Sequence, residues 1–263
     1  MTYFFAGIKG SGMTGLACIL HDMGNEVLGC DDAKVYSFTE EPLNERGIKC
    51  YKNADMLTSD MIFVYTAAIH EEHYAIKRAK ELGCKMYGYY EMIGELTKKY
   101  DAICIGGTHG KTTTTAMLGH IMQNTVGASY LIGDGTGVVD KDSNNFVIES
   151  CEFERHLLLY TPKYSVITNI DYDHVDYFKT KRQYNSAFNK FCKHANKVIV
   201  NYDYRNKIHH HNLLTYGTNE NADYYFKSLD LTHGIKGDVY YKKEKIYHLD
   251  VAIFGLYNAL HLL

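Results

Sequence analysis

Apolar and polar positions alternate along the chain in a way that marks out strands and helices in turn. Residues 3–6 form a short apolar run ending in glycines. Met13, Leu16, Ala17, Ile19 and Leu20 then recur at helical spacing, and residues 26–28 lead on to Asp31. This order predicts a βαβ opening. Strands over residues 61–65 and 85–87, with a helix over 74–82 closed by Gly83, continue the alternation expected of a parallel sheet covered by helices. A second unit begins with a buried-looking run at 102–105, which enters a glycine loop and then a helix over 112–123. Its later strands are predicted at 146–149, 165–168 and 197–201, with a helix between 184 and 193. The pattern therefore describes an α/β chain of two domains, residues 1–99 and 100–263, each a parallel sheet flanked by helices.

Residues 251–263 are mostly apolar and stop without a glycine, a basic last turn or another helix-ending signal. The pattern predicts a second domain that is incomplete at its C-terminal end. An apolar surface left in that way fits a further segment or an oligomer contact. A helix docked on its own domain fits it equally well.

Composition narrows the classes. With 263 residues, 46% hydrophobic and 22% charged, the chain can bury two cores of ordinary size. The net charge of -3, from 28 basic and 31 acidic side chains, gives no broad positive field for nucleic acid or an anionic membrane. Any phosphate must be held locally. Seven cysteines without a CxxC pair fit reduced thiols, and the N-terminus enters a strand without the basic region and cleavage site of a secretory signal, so a cytoplasmic protein is expected. The apolar runs are far shorter than the roughly 20 residues of a membrane helix.

Two glycine loops carry the candidate chemistry. Gly10, Ser11, Gly12, Met13, Thr14 and Gly15 match GxGxxG between a predicted strand and helix, and Asp31 follows at the end of the next strand. Missing side chains let the backbone approach a diphosphate, and the helix-start N–H groups point at its charge; tight strand-to-helix packing would need the same glycines. Gly107, Thr108, His109, Gly110, Lys111, Thr112 and Thr113 combine a backbone loop, a lysine that reaches phosphate and hydroxyls suited to a metal ion. Ile105 stands where the usual GxxxxGK[ST] loop has its first glycine. The fold class read from these loops is a Rossmann-like N-terminal domain followed by a P-loop-type central ATPase domain.

The segment GTHGKTTTT, residues 107–115, resembles the ATP loop of the Mur ligases, with histidine in its third place as in the alanine-adding branch. GIKGSGMTGLA (7–17) resembles that branch's N-terminal signature, with Lys9 where the family has another glycine; YTAAI (65–69) and TNIDYDHVD (168–176) match two further motifs in order. The resemblance implies an ATP-driven amide synthesis with Mg²⁺. A phosphoryl group would move to the lactyl carboxylate of UDP-N-acetylmuramate, and the amine of L-alanine would attack the acyl phosphate. Lys111 would neutralise the β- and γ-phosphates and Thr112 would hold the metal. By the same match Glu149 is a metal-binding glutamate, His174 serves a second metal, Asn169 lies on the nucleotide side, and His109 faces the muramate side. Gly10, Ser11, Gly12, Met13 and Asp31 fall to the UDP substrate.

The chain departs from the family in two places. Glu149, Ser150, Cys151, Glu152, Phe153 and Glu154 keep the glutamates of an acidic run, but Cys151 and Phe153 replace an aspartate and a serine; FGLYNAL (254–260) resembles the G-x-HN motif with Tyr257 for histidine, leaving Asn258 as the adenine contact. The resemblance then stops before the family's third domain, so a separate C-terminal domain or an oligomer is expected to complete the site. Two other readings stay open: a catalytically silent nucleotide or UDP-sugar binder, and a nicotinamide-dependent oxidoreductase built on GxGxxG, which leaves Lys111 unexplained.

Overall fold

The computed structural model describes residues 1–33 and 35–263. They gather into two compact units: residues 1–100 with 122–146, and residues 101–121 with 147–263. A single division near residue 100 yields neither unit whole, because the chain enters the second unit and returns to the first before leaving it again. Among the described residues no helix is long and apolar enough to cross a membrane.

The first unit opens as the βαβ pattern predicts, with β1 (Thr2–Ala6), α1 (Ser11–Asp22) and β2 (Glu26–Cys30). It continues through α2 (Glu40–Glu45), β3 (Lys49–Tyr51), β4 (Ile62–Tyr65), α3 (Tyr74–Leu82), β5 (Lys85–Gly88) and α4 (Tyr89–Thr97). The strands lie in the order β3-β2-β1-β4-β5, every pair parallel. β1 is central and buried on both faces, hence its unbroken apolar run. The order switches direction at β1, so the crevice for a ligand lies beyond the carboxyl ends of β1 and its neighbours.

The chain then passes through β6 (Asp101–Gly106) and α5 (Lys111–Gln123) and returns with the antiparallel pair β7 (Ser129–Leu131) and β8 (Gly137–Val138). This pair packs on α1 at Gly15, where a Cβ would stand 2.8 Å from Leu131 Cδ1 and 2.9 Å from the Gly135 carbonyl. The last glycine of the GxGxxG match thus serves close packing.

The second unit adds β9 (Asn145–Glu149), β10 (Tyr164–Ile167), α6 (Lys181–Cys192), β11 (Lys197–Asn201), β12 (Leu213–Gly217), β13 (Tyr224–Asp230), β14 (Ile235–Tyr241), β15 (Glu244–Val251) and α7 (Leu256–His261). Its strands run β15-β14-β13-β12-β11-β10-β6-β9. The expected parallel sheet needs correction here. Pairing is parallel from β6 through β10, β11 and β12 to β13, but β13, β14 and β15 form an antiparallel meander. Its last strand, β15, is largely exposed, as antiparallel sheets tolerate. Several tyrosines pair across the meander: Tyr225 stacks on Tyr240 at 5.2 Å and Tyr224 meets Tyr241 at 4.5 Å.

Candidate functional site

In the first unit the chain leaves β1 through Gly7, whose φ is 79° and whose Cβ would press on Thr66 at the end of β4. Gly10 sits at the N-cap of α1 and has no side chain with which to cap it. The first-turn N–H groups of Ser11, Gly12 and Met13 are therefore left for an anion. Met13 contributes its backbone alone, since its side chain is buried in the core. Asp31 uses both oxygens locally: Oδ2 accepts from the Lys9 N–H at 2.8 Å and Oδ1 from the Ala33 N–H at 2.9 Å. It shapes the glycine loop by holding Lys9.

A cavity of about 370 Å³ lies at this switch point, lined by Gly7, Lys9, Gly10, Asp31, Asp32, Thr66, His73 and Tyr74 among others. Three of these were not singled out from sequence. His73 Nδ1 accepts the Ala75 N–H at the start of α3, so Nε2 carries the proton and donates to Asp32 Oδ2 at 2.9 Å. Tyr74 donates its hydroxyl to Asp32 Oδ1 at 2.9 Å. The hydrogen bond from His73, with that from Tyr74, holds the Asp32 carboxyl below the usual carboxylate range. Lys9, which lines this cavity, pairs its Nζ with Glu40 at 3.0 Å.

In the second unit the loop between β6 and α5 is fixed from behind. Gly107 and Gly110 have φ of 147° and 80°, and a Cβ on them would collide with Thr168 Oγ1 and the His261 ring respectively. Asn169 holds the loop through both ends of its amide: Oδ1 accepts the His109 N–H and Nδ2 donates to the His109 carbonyl, each at 2.8 Å. Thr168 donates its hydroxyl to the same carbonyl at 2.7 Å. Thr108 is buried and turned inward, its hydroxyl 2.8 Å from both the Asp171 carbonyl and the Tyr184 hydroxyl. The side chains of His109 and Thr112 are exposed. Of the predicted nucleotide contacts, then, Thr108 and Asn169 support the loop, and the exposed side chains with the first-turn N–H groups of α5 face outward.

Lys111 Nζ donates to the Gly107 carbonyl at 2.6 Å and the Thr108 carbonyl at 3.2 Å, and lies 2.8 Å from Glu152 Oε2. Glu152 is 2% exposed, and its other oxygen, Oε1, lies 3.3 Å from His174 Nε2. Lys111, Glu152 and His174 form one chain of contacts, and Glu152, which the sequence reading names in the acidic run without giving it a role, lies three residues after Glu149. The backbone around it is strained: Glu154, Arg155 and His174 have φ of 49°, 62° and 49°. Glu149 ends β9, and the Ser150 N–H donates to the Ile105 carbonyl at 2.9 Å, which sets that end beside the loop. Among the described residues no group of three or more His, Cys, Asp or Glu side chains converges as a metal centre. The Glu149 carboxylate and the Thr112 hydroxyl are donor types that suit Mg²⁺, which keeps several waters and takes phosphate oxygens.

A second cavity, of about 200 Å³, is walled by Thr168, Asn169, Tyr204, Tyr216, Tyr257, Leu260 and His261 among others. His261 joins α7 to the loop, its Nδ1 2.9 Å from the Thr114 hydroxyl. Burial holds its imidazole below its ordinary pKa of 6.5. Burial, with the hydrogen bond to Asp171, pushes the Tyr204 hydroxyl up to about 12. Asn258, the predicted adenine contact, donates its amide to the Phe254 carbonyl at 2.8 Å.

Comparison with known proteins matches the chain in two consecutive segments. Residues 2–101 match the model of the Mur ligase family, catalytic domain, and residues 105–263 match that of the Mur ligase middle domain. The chain is 37% identical over 267 residues to a UDP-N-acetylmuramate--L-alanine ligase of Lactiplantibacillus plantarum, covering 98% of this chain and 61% of that protein. It is 38% identical to the enzyme so named in Pediococcus pentosaceus, covering 99% and 61%. The chain thus spans about three fifths of these relatives. Among solved structures, UDP-N-acetylmuramate-alanine ligase from Thermotoga maritima shares the fold with a TM-score of 0.82 at 23% identity, over 99% of this chain and 63% of that one. The UDP-N-acetylmuramate:L-alanyl-gamma-D-glutamyl-meso-diaminopimelate ligase of Neisseria meningitides shares it with a TM-score of 0.83 at 22%, over 99% and 91%. Because the middle-domain match alone takes in more than half of the chain and the two matched segments together take in nearly all of it, the chain belongs to the Mur ligase family.

Proposed function

We propose that this chain carries the two substrate sites of an ATP-dependent ligase that joins L-alanine to UDP-N-acetylmuramate. The carrying observation is the loop between β6 and α5. Its two left-handed glycines, its backbone clamp by Thr168 and Asn169, and the lysine at the helix start together form a preorganised cradle for phosphate. The names of the two relatives supply the reaction class.

In this reading the first-turn N–H groups of α5 and the Lys111 ammonium hold the β- and γ-phosphates of ATP. The base enters the cavity beside Tyr257, Leu260 and His261, so Tyr257 and not Asn258 supplies its wall. The Thr112 hydroxyl and the Glu149 carboxylate, with His174 at the edge of the site, would hold Mg²⁺, which would supply neutralisation of phosphate charge. The UDP diphosphate lies on the N–H groups of Ser11, Gly12 and Met13, beside Lys9. A carboxylate oxygen of the muramate attacks the γ-phosphorus and ADP leaves. The amine of L-alanine then attacks the acyl carbon, phosphate leaves, and the amine proton passes to solvent. Lys111 and the loop donors act by meeting negative charge as it moves, without reorganising.

The test is to incubate the chain with Mg-ATP, UDP-N-acetylmuramate and L-alanine and to follow the alanyl product by mass spectrometry, with folded Lys111→Ala as control. Product that vanishes in the variant supports the ligase. Binding of both nucleotides without product leaves a binder in its place, and failure of ADP to bind removes the assignment of the loop.

A further inference from the structure

We propose that Glu152 is the resident counter-ion of the phosphate-loop lysine, so that nucleotide binding exchanges one anion for another at Lys111. The inference rests on the reading that Lys111 receives nucleotide phosphate. Its basis is a carboxylate in an unfavourable place. Glu152 is 2% exposed, and its Oε2, although 2.8 Å from Lys111 Nζ, has no partner in hydrogen-bond geometry. Lys111 places its better-directed bonds on the carbonyls of Gly107 and Thr108. A buried carboxylate with an unmatched oxygen is costly unless it is paired and fully bonded. The contact to Lys111 is a pairing of charge without that alignment, the kind of contact most easily given up to a better anion.

Glu152 is kept in place by its own strained turn. The Arg155 N–H donates to the Glu152 carbonyl at 2.9 Å, the Leu157 N–H to the Cys151 carbonyl at 2.8 Å, and Leu157 is fully buried. The carboxylate therefore cannot withdraw far when phosphate arrives, so the ammonium turns from it to the phosphate while Glu152 stays near enough to repel the incoming charge. Glu152 holds the lysine across the loop mouth in the ligand-free protein and lowers nucleotide affinity as the consequence. It also retains its 3.3 Å contact to His174 Nε2 when phosphate arrives. Glu152 is a positioning residue: it acts through Lys111 and His174.

The experiment is a calorimetric titration of ADP into the chain in EDTA, which removes any metal contribution, for wild type, Glu152→Gln, Glu152→Asp and Lys111→Ala, with thermal unfolding of each without ligand. Glu152→Gln is expected to bind ADP more tightly, by roughly tenfold from the loss of one nearby negative charge, while its ligand-free unfolding temperature falls. Affinity that rises while stability falls is something a structural role alone does not produce. Glu152→Asp keeps the charge but draws it back by one methylene, so it is expected to tighten binding by less. If Glu152→Gln does not fold, the aspartate variant decides. Equal or weaker ADP binding in the folded variant overturns the proposal. If wild type itself fails to bind, or folded Lys111→Ala binds as well as wild type, the loop assignment fails instead.

Discussion

At the scale of single residues the glycines separate by what surrounds them. Gly12 faces the hydroxyl end of Tyr89, 2.7 Å from where a Cβ would stand, and a side-chain tip can turn aside. Gly107 meets Thr168 Oγ1, which is tied to the His109 carbonyl, and its φ of 147° disfavours any L side chain. Gly107→Ala is therefore expected to lose about 1–3 kcal/mol of stability and its ADP binding, whereas Gly12→Ala stays near wild type in unfolding temperature. Equal shifts in the two variants by calorimetry would refute this distinction. Lys111 offers a second contrast. Lys111→Met leaves Glu152 buried without a cation and is expected to cost about 3 kcal/mol, most of which returns in the double variant with Glu152→Gln; strictly additive losses in urea unfolding would rule this out. The loop that carries Gly107 and Lys111 was legible because its strand–glycine–helix pattern is contiguous. Glu152 was not, because its burial depends on the kinked turn at residues 153–159, which no local pattern announces.

At the scale of elements, legibility followed the clarity of start and stop signals. Helix α3 ends where the sequence places it, at Gly83 with φ of 67°, and β11 has its predicted bounds. The β14–β15 hairpin was missed because its turn, Lys242 and Lys243 with φ of 48° and 75°, lacks the Asn-Gly signal such turns carry. Replacing the pair by Asn-Gly is expected to raise stability by about 1 kcal/mol, read as a higher unfolding temperature; a lower temperature would show that the lysine side chains matter more than backbone strain. Helix α7 gives a pH prediction. Since burial lowers the His261 pKa, its neutral form favours the docked helix, and that stability is full above the ordinary value of 6.5 and declines as pH falls toward the lowered one. Amide exchange of residues 256–261, corrected for intrinsic rates, should rise over that interval in wild type and not in His261→Asn. A flat profile in wild type would remove His261 from the docking of α7.

At the scale of the whole chain, each unit has its own core and its own candidate site, and the two glycine loops are plainer in the sequence than the bounds of the units. Residues 122–146 were assigned to the second domain by order along the chain, yet they belong to the first compact unit through packing that Gly15 and Gly137 permit, and such close approach carries no periodic signal. With the GxGxxG loop in one unit and the Lys111 loop in the other, the proposed sites predict that substitutions in the two loops affect binding independently. Asp31→Ala removes the acceptor that holds Lys9 and is expected to weaken UDP by about tenfold, while ADP changes by less than about twofold. Folded Lys111→Ala should do the reverse, and the double variant should show the sum of the two free-energy changes. Titrating UDP and ADP separately into all four proteins checks this, because loss of ADP affinity in Asp31→Ala would mean that the glycine loop of the first unit also supports the nucleotide site, and the two loops would then have to be treated as one.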